Sequence, residues 1–303
     1  MRAGILNNTF RNIWKARLSY LLLAPTFLFL LIFNYYPAIR GILYAFQDVQ
    51  AGGHAEFTGV RNFEKFFGDY ILLKSFINLA IFLVGNLLKS LILPLFIAVL
   101  ISRILSPRGR YIFQTLFLFP IVVPGMVGIL LWKGFIFDAN TGLLNNFLRV
   151  AGLSRLEHAW LGEHKTALAS VLFTGFPWVG GVGFLIFLAG LLGISKSVLE
   201  SAMMDGAGSM RRFWSIELPL IMGQIKLVVV LTFIGTIQDF AGILVLTGGG
   251  PGATTHVPAL HMYYMAFRFD QFGYGASIGV LLFILIFLMT IINMKLIQSK
   301  VEA

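Results

Sequence analysis

Long apolar stretches alternate with short polar connections along the chain, at residues 18–37, 75–101, 111–132, 166–192, 220–247 and 276–294. A helix needs about 20 apolar residues to cross the hydrocarbon of a bilayer, and these stretches are long enough. Four of them hold no Asp, Glu, Lys or Arg; the second carries Lys89, and the fifth carries Lys226 and Asp239. The pattern predicts an all-α, polytopic membrane protein with six transmembrane helices, and it gives strand assignments little support. Pro25, Pro94, Pro120, Pro124 and Pro177 lie inside the spans, where neighbouring helices can satisfy the carbonyls they free. Kinks are their expected effect, with hinges the alternative.

Composition agrees with the pattern. The 303 residues are 58% hydrophobic and 12% charged, about half the charged share of an average soluble domain. The net charge of +10 does not point to nucleic acid, because the basic residues sit between apolar spans rather than on one water-facing patch. Their placement sets orientation instead. With the N-terminus inside, segments 1–17, 102–110, 193–219 and 295–303 hold twelve Lys/Arg against four acids, while the longer opposite loops hold nine against eight. The positive excess marks the cytoplasmic side, so both termini are expected there. The first span follows Arg2, Arg11, Lys15 and Arg17 but exceeds a signal core and has no small-x-small site after it, so it reads as an uncleaved helix. The expected layout is a cytoplasmic segment 1–17, a six-helix domain 18–297 and a cytoplasmic tail 298–303. The chain has no Cys, which excludes disulfides, zinc-thiolate sites and thiol catalysis.

The segment 195–219 between spans four and five is the most informative. Ser197 and Glu200 have capping-box spacing, which predicts a helix start at Ser197. Gly206 suits the left-handed residue that ends a helix, Ser209 is placed to cap a second one, and Pro219 fits a first turn. The first helix would present Val198, Leu199, Ala202 and Met203 with little charge around them. An apolar face containing Met meets either a partner protein or a membrane surface, and only Lys196, Arg211 and Arg212 are available for anionic lipid.

These residues resemble the EAA motif of binding-protein-dependent ABC importer permeases. The sequence has Glu200-Ser201-Ala202, Gly206 and Ile216-Glu217-Leu218-Pro219, with Ser201 standing for the second Ala, and Asp205-Gly206-Ala207 matches the carbohydrate branch. Leu246-Thr-Gly-Gly-Gly-Pro251 with Thr254-Thr255, and Gly273-Tyr-Gly275, also resemble the sugar permeases of maltose and glycerol-phosphate type. The resemblance implies a type I ABC importer permease fold and a subunit forming half of a sugar pathway. It implies a second homologous permease, two cytoplasmic ATPases and an external solute-binding protein as partners, in a bacterial inner membrane. Glu200, Ser201, Ala202, Asp205, Gly206, Leu218 and Pro219 would meet an ATPase. No cofactor is expected on this chain: Gly248 to Gly252 lacks the Lys-Ser/Thr ending of a phosphate cradle, so ATP and Mg would be held by the ATPase subunits.

Within the spans, an ionisable residue suggests function. Asp239 and Gln238 are candidate path residues for sugar hydroxyls, and pairing of Asp239 with Lys89 or with the second permease is the structural alternative. Phe176, Trp178, Phe233 and Phe240 are placed either to stack on sugar rings or to pack the core. Trp178 and Phe240 join the candidate path on that basis. Asn86 and Gln114 are expected helix–helix hydrogen-bonders, and Lys226 is expected to snorkel. A membrane enzyme is the first rival, but His54, His158, His164, His256 and His261 fall between spans without ligand spacing. A proton-coupled secondary transporter using Asp239 is the second, and it leaves 195–219 unexplained. The orientation is testable by maleimide labelling, since a Cys-free chain accepts single probes: Ser209→Cys should resist an impermeant reagent in intact cells and react in inverted vesicles. Labelling from outside would overturn the topology.

Overall fold

The computed structural model describes residues 15–49, 55–179 and 181–296. Both expected tails, with Arg2, Arg11 and Lys300, lie mainly outside these residues, as does His54. Three helices, α1 (Arg17–Tyr44), α2 (Tyr70–Ser102) and α13 (Phe272–Leu296), are long and apolar enough to cross a membrane unbroken. The other expected spans are bent or interrupted, and the described residues give up to six crossings when the bent pairs 107–122 with 125–136, 182–192 with 196–204 and 209–220 with 222–238 each count as one.

Span three comprises α3 (Pro107–Val122) and α4 (Gly125–Ile136), which meet at 83°. Pro120 and Pro124 cause this: neither has an N–H for the helix ladder, and Pro124 sits as the N-cap of α4. After α5 (Leu143–Val150), span four is α6 (Ala167–Phe173) and α7 (Val182–Leu192). The chain between them leaves helical geometry, with positive φ at Gly175, Trp178 and Gly181. α8 (Lys196–Met204) and α9 (Ser209–Leu220) follow, then α10 (Met222–Gln238). Span five therefore begins at Met222, two residues later than expected, after a 67° bend at Ile221. It also stops at Gln238, and α11 (Ala241–Leu246) is a separate helix. α12 (Pro258–Phe267) precedes the last span.

Pro25 and Pro94 are carried within helices without a break. One small sheet departs from the all-helical expectation. β1 (Gln47–Val49) pairs antiparallel with β2 (Ala55–Phe57), too short to show in a hydrophobic pattern. Buried Asn62 fastens it, donating from Nδ2 to the carbonyls of Ala45 and Gln47 at 3.1 and 2.9 Å.

α2 is the axis of the packing. Its buried residues Leu72, Ser75, Asn78, Leu79, Phe82 and Leu83 recur at helical spacing on one face. Near its Asp69 end it joins Ile237 of α10, Ala259 of α12 and Ile278 of α13 in one cluster. Near its Arg103 end, Ala98 and Ile101 pack with Phe184, Phe187 and Leu188 of α7 and with Ile221. In contrast, α1 buries no residue.

The Gly-rich loop after α11 is pinned rather than open. Gly248, Gly249 and Gly252 have φ of +63°, +89° and +51°, and a Cβ at Gly249 would lie 2.4 Å from the His256 ring, so glycine is required there. Tyr264 donates to the Gly248 carbonyl at 3.0 Å, and Asn78 Nδ2 donates to the Ala253 and His256 carbonyls, both at 2.9 Å. His256 and His261 are buried and share a 3.2 Å contact. His261, which lies inside α12 rather than in a loop, reaches Asp69 at 2.8 Å, where the Tyr274 hydroxyl also donates at 2.8 Å. Burial alone would raise Asp69, but the Leu72 N–H, the Tyr274 hydroxyl and His261 outweigh it and hold the carboxyl below its ordinary range.

Burial, then the nearby His261, pushes His256 down to about 4, from an ordinary value of 6.5. An unfolded chain thus takes up a proton at His256 below about 6.5 that the folded chain refuses until about 4. Stability contributed at neutral pH is lost across that window as pH falls. Melting in detergent should show a lower transition temperature at pH 5 than at pH 7, and His256→Gln should shrink that difference. An equal acid shift in the variant would remove His256 as its source.

Candidate functional site

Two places stand out, one at mid-span and one on the α8–α9 segment. The first is an open cleft of about 640 Å³ bounded by α2, α10 and the break in span four. α2 contributes Asn86, Lys89, Ser90 and Pro94, α10 contributes Thr232, Gly235, Thr236 and Gln238, and Asp239 and Trp178 close it. Pro94 has no N–H to offer the Ser90 carbonyl, so a backbone acceptor is freed beside the cleft. Non-helical backbone at membrane depth is tolerated where protein buries it or where it lines a water-filled cavity. Spans four and five both break beside this one.

The bonds around the cleft are specific. Asn86 Nδ2 donates to Thr236 Oγ1 at 3.1 Å, the expected helix–helix bond, and Thr232 Oγ1 donates to Ser90 Oγ at 2.9 Å. Gln114 has no side-chain hydrogen bond among the described residues. Lys89 Nζ reaches the Thr174 carbonyl at 3.5 Å and lies 5.3 Å from the centre of the Trp178 ring. Trp178 Nε1 donates to the same carbonyl at 3.0 Å. One carbonyl freed by the break in span four therefore positions both side chains.

Asp239 follows the last residue of α10, and its Oδ1 accepts from the Gly242 N–H at 3.2 Å. Lys89 and Asp239 line the same cleft, yet among the described residues no ion pair within 4.0 Å joins them. Asp239, Gln238 and Trp178 thus come together as expected. Phe240 does not: its ring stacks on Tyr263 with centroids 5.0 Å apart and packs into the core. Phe176 stacks on Phe173, and Phe233 packs against the α2–α13 cluster. Sequence reasoning missed Ser90, Thr232 and Thr236 and gave Lys89 only a structural part. Their signal was present as polar positions three and four apart, Asn86-Lys89-Ser90 and Thr232-Thr236, on otherwise apolar helices. Lys226, expected to snorkel, donates to the Met294 carbonyl at 3.0 Å.

In the second place, α8 ends in a Schellman motif. The Ala207 N–H donates to the Ala202 carbonyl at 2.9 Å and the Gly206 N–H to Met203 at 3.0 Å, with Gly206 at φ +75°. Gly206 is the expected left-handed residue. The capping box is not formed. The helix starts one residue earlier, at Lys196, with Ser195 as N-cap, and the Ser195 and Ser197 hydroxyls bond each other at 2.8 Å. Ser209 likewise stands inside its helix, and Gly208 is the N-cap.

The exposed face also differs from expectation. Ala202 is buried and Leu199 half-buried, while Val198, Met203, Met204, Met210 and Trp214 are exposed. Met204 is 87% exposed, the most open of these. Glu200, Ser201, Asp205 and Gly206 lie on the exposed side. Leu218 lines an apolar groove with Met210, Phe213 and Trp214, and Pro219 follows it just before the bend at Ile221.

The comparisons with known proteins agree with this geometry. The chain is 33% identical to the sn-glycerol-3-phosphate transport system permease protein UgpA of Yersinia pestis, over 94% of this chain and 95% of that one. It is 29% identical to the multiple sugar-binding transport system permease protein MsmF of Streptococcus mutans, over 88% and 90% of the two chains. A chain in the crystal structure of a bacterial ABC transporter that imports the acidic polysaccharide alginate superposes with a TM-score of 0.81 at 21% identity, over 96% of this chain and all of that one. This likeness shows a shared fold. The profile of the binding-protein-dependent transport system inner membrane components matches residues 90–302. The chain belongs to that family and is a membrane-embedded permease subunit of an ABC importer.

Proposed function

We propose that this subunit forms half of a sugar or oligosaccharide pathway, lined by Asp239, Gln238 and Trp178 together with Asn86, Lys89, Ser90, Thr232 and Thr236. The observation that carries this reading is the cleft at the breaks in spans four and five, where amide, hydroxyl and charged side chains from α2 and α10 face one open space. Its amides and hydroxyls suit a hydroxyl-rich ligand, and the Trp178 ring offers an apolar face for a pyranose. Both related transport systems that bear on carbohydrate, the MsmF system and the alginate importer, are consistent with that class. Family membership lends no support to a proton-driven mechanism.

The second homologous permease closes the cleft from its open side, and an external solute-binding protein delivers the sugar. Two ATPases sit beneath the α8–α9 segment and hold ATP and Mg, so this chain has no catalytic residue and binds no cofactor. α8–α9 and both termini face the cytoplasm of a bacterial inner membrane. Val198, Met203 and Met204 supply the apolar contact, with Glu200, Ser201, Asp205 and Gly206 around them. Buried Ala202, with Leu218 and Pro219, orients the segment from behind.

Asp239→Asn keeps the size of the side chain and removes its charge. Co-expressed with its partners, the variant should assemble normally and take up sugar several-fold more slowly. Normal uptake would discard Asp239 as a path residue, and loss of assembly would give it a structural role instead.

Gly206→Val forces a β-branched residue to φ +75°, where such strain costs about 1–3 kcal/mol. Nothing lies within 4 Å of a Cβ there, so the strain is conformational rather than steric crowding. Gly206→Asn tolerates the same φ and should be mild. The Val variant should insert in the membrane but lose its ATPases on purification, or hydrolyse ATP without transport. Retained ATPases with normal transport would exclude the segment from coupling.

A further inference from the structure

We infer that Glu217 is a positioning residue that fixes the α8–α9 segment to the end of α2, so that movement of the segment reaches the cleft. The inference rests on the permease reading above and adds a specific linkage to it. Glu217 stands between Ile216 and Leu218 near the end of α9. It is only 5% exposed, in a π-helical turn, residues Phe213–Glu217. Such turns recur at functional sites.

Two arginines meet this carboxylate from different elements. Arg103, the C-cap of α2, reaches Oε2 with Nη2 at 3.2 Å, and the same Nη2 donates to the Ser209 carbonyl at 3.4 Å. Arg212 of α9 reaches Oε1 with Nε at 2.9 Å. Each carboxylate oxygen is thus held by a separate guanidinium, which fixes its rotation as well as its place. A buried ionic group of this kind is weak evidence for stability, since apolar residues of similar volume often serve as well. Its distinctive property is direction.

The flanking chain gives that direction a use. α9 lies between Gly206, at φ +75°, and the bend at Ile221, whose N–H donates to the Glu217 carbonyl at 3.1 Å. Between these pivots α9 behaves as one lever, and the Arg103 bond is its attachment to α2. α2 then runs unbroken from Arg103 to Asp69 and carries Asn86, Lys89 and Ser90 into the cleft on the way. A shift of α9 is passed on to the cleft along one continuous helix.

The test uses the absence of Cys and needs no known substrate. Gly235→Cys places a thiol in the cleft where nothing lies within 4 Å of the new Cβ. In the complex with its partner permease and ATPases, a water-soluble maleimide reports how its labelling rate changes on adding ATP, Mg and vanadate. In the Gly235→Cys background we expect a several-fold change. Adding Glu217→Gln or Arg103→Gln should abolish most of it while the ATPases still co-purify and still bind ATP. The double variant should lose less than the sum of the two single losses, because both remove the shared Arg103–Glu217 bond. An undiminished change in Glu217→Gln, additive losses in the double variant, or loss only in proportion to assembled complex would overturn the linkage. Absence of co-purifying ATPases in the Gly235→Cys background would instead defeat the permease reading beneath it.

Discussion

A peptide group at the depth of the hydrocarbon has no water to bond with, so every turn of helix given up there must be compensated by protein or by a wet cavity. This chain gives up helix in spans three, four and five. In span four the freed Thr174 carbonyl is taken by Lys89 and Trp178. In span five the N–H of Gly242 is taken by Asp239. The compensating groups are the same side chains that give the cleft its chemistry. Backbone satisfaction and ligand-ready polarity arise from one set of contacts, and α2, which stays helical throughout, is what they are measured against.

The unbroken helix also sets what can move. At 1.5 Å per residue its 33 residues reach about 50 Å, enough to connect both faces of a bilayer. Its two ends are fastened differently. At one, Asp69 accepts from the Leu72 N–H as an N-cap and gathers His261 and Tyr274. At the other, Arg103 meets a buried carboxylate from a separate lever. The cleft residues stand between these two attachments.

Much of the architecture was readable in the sequence because apolar length is a strong signal. The six apolar stretches correspond to three unbroken helices and up to three bent or interrupted ones, and Gly206, which suits a helix end, stands at φ +75°. The breaks at 174–181 and 239–240 were not read, because a stretch such as Gly175 to Gly181 stays apolar in composition while its backbone leaves the helix. The capping box at Ser197 failed for a related reason: spacing alone does not say which of two nearby serines starts the helix, and Ser195 does. At the site, Asp239 and Trp178 were legible as unusual residues. Phe240 was not separable from them without its neighbour Tyr263, and the part played by Glu217 depended on arginines lying 114 and 5 residues away.

The polar residues of α2 have a bearing on how the chain is made. Asn78, Asn86 and Lys89 enter the bilayer early, yet their partners Ala253, Thr236 and Thr174 lie 175, 150 and 85 residues further along. At about 5–20 residues per second of synthesis, the last of these partners emerges roughly ten to thirty seconds after Asn78. During that interval the three side chains gain these partners one at a time, Lys89 first at Thr174, Asn86 next at Thr236 and Asn78 last at Ala253. The polar contacts of the second span are therefore completed in chain order, from the break in span four to the loop before the last span.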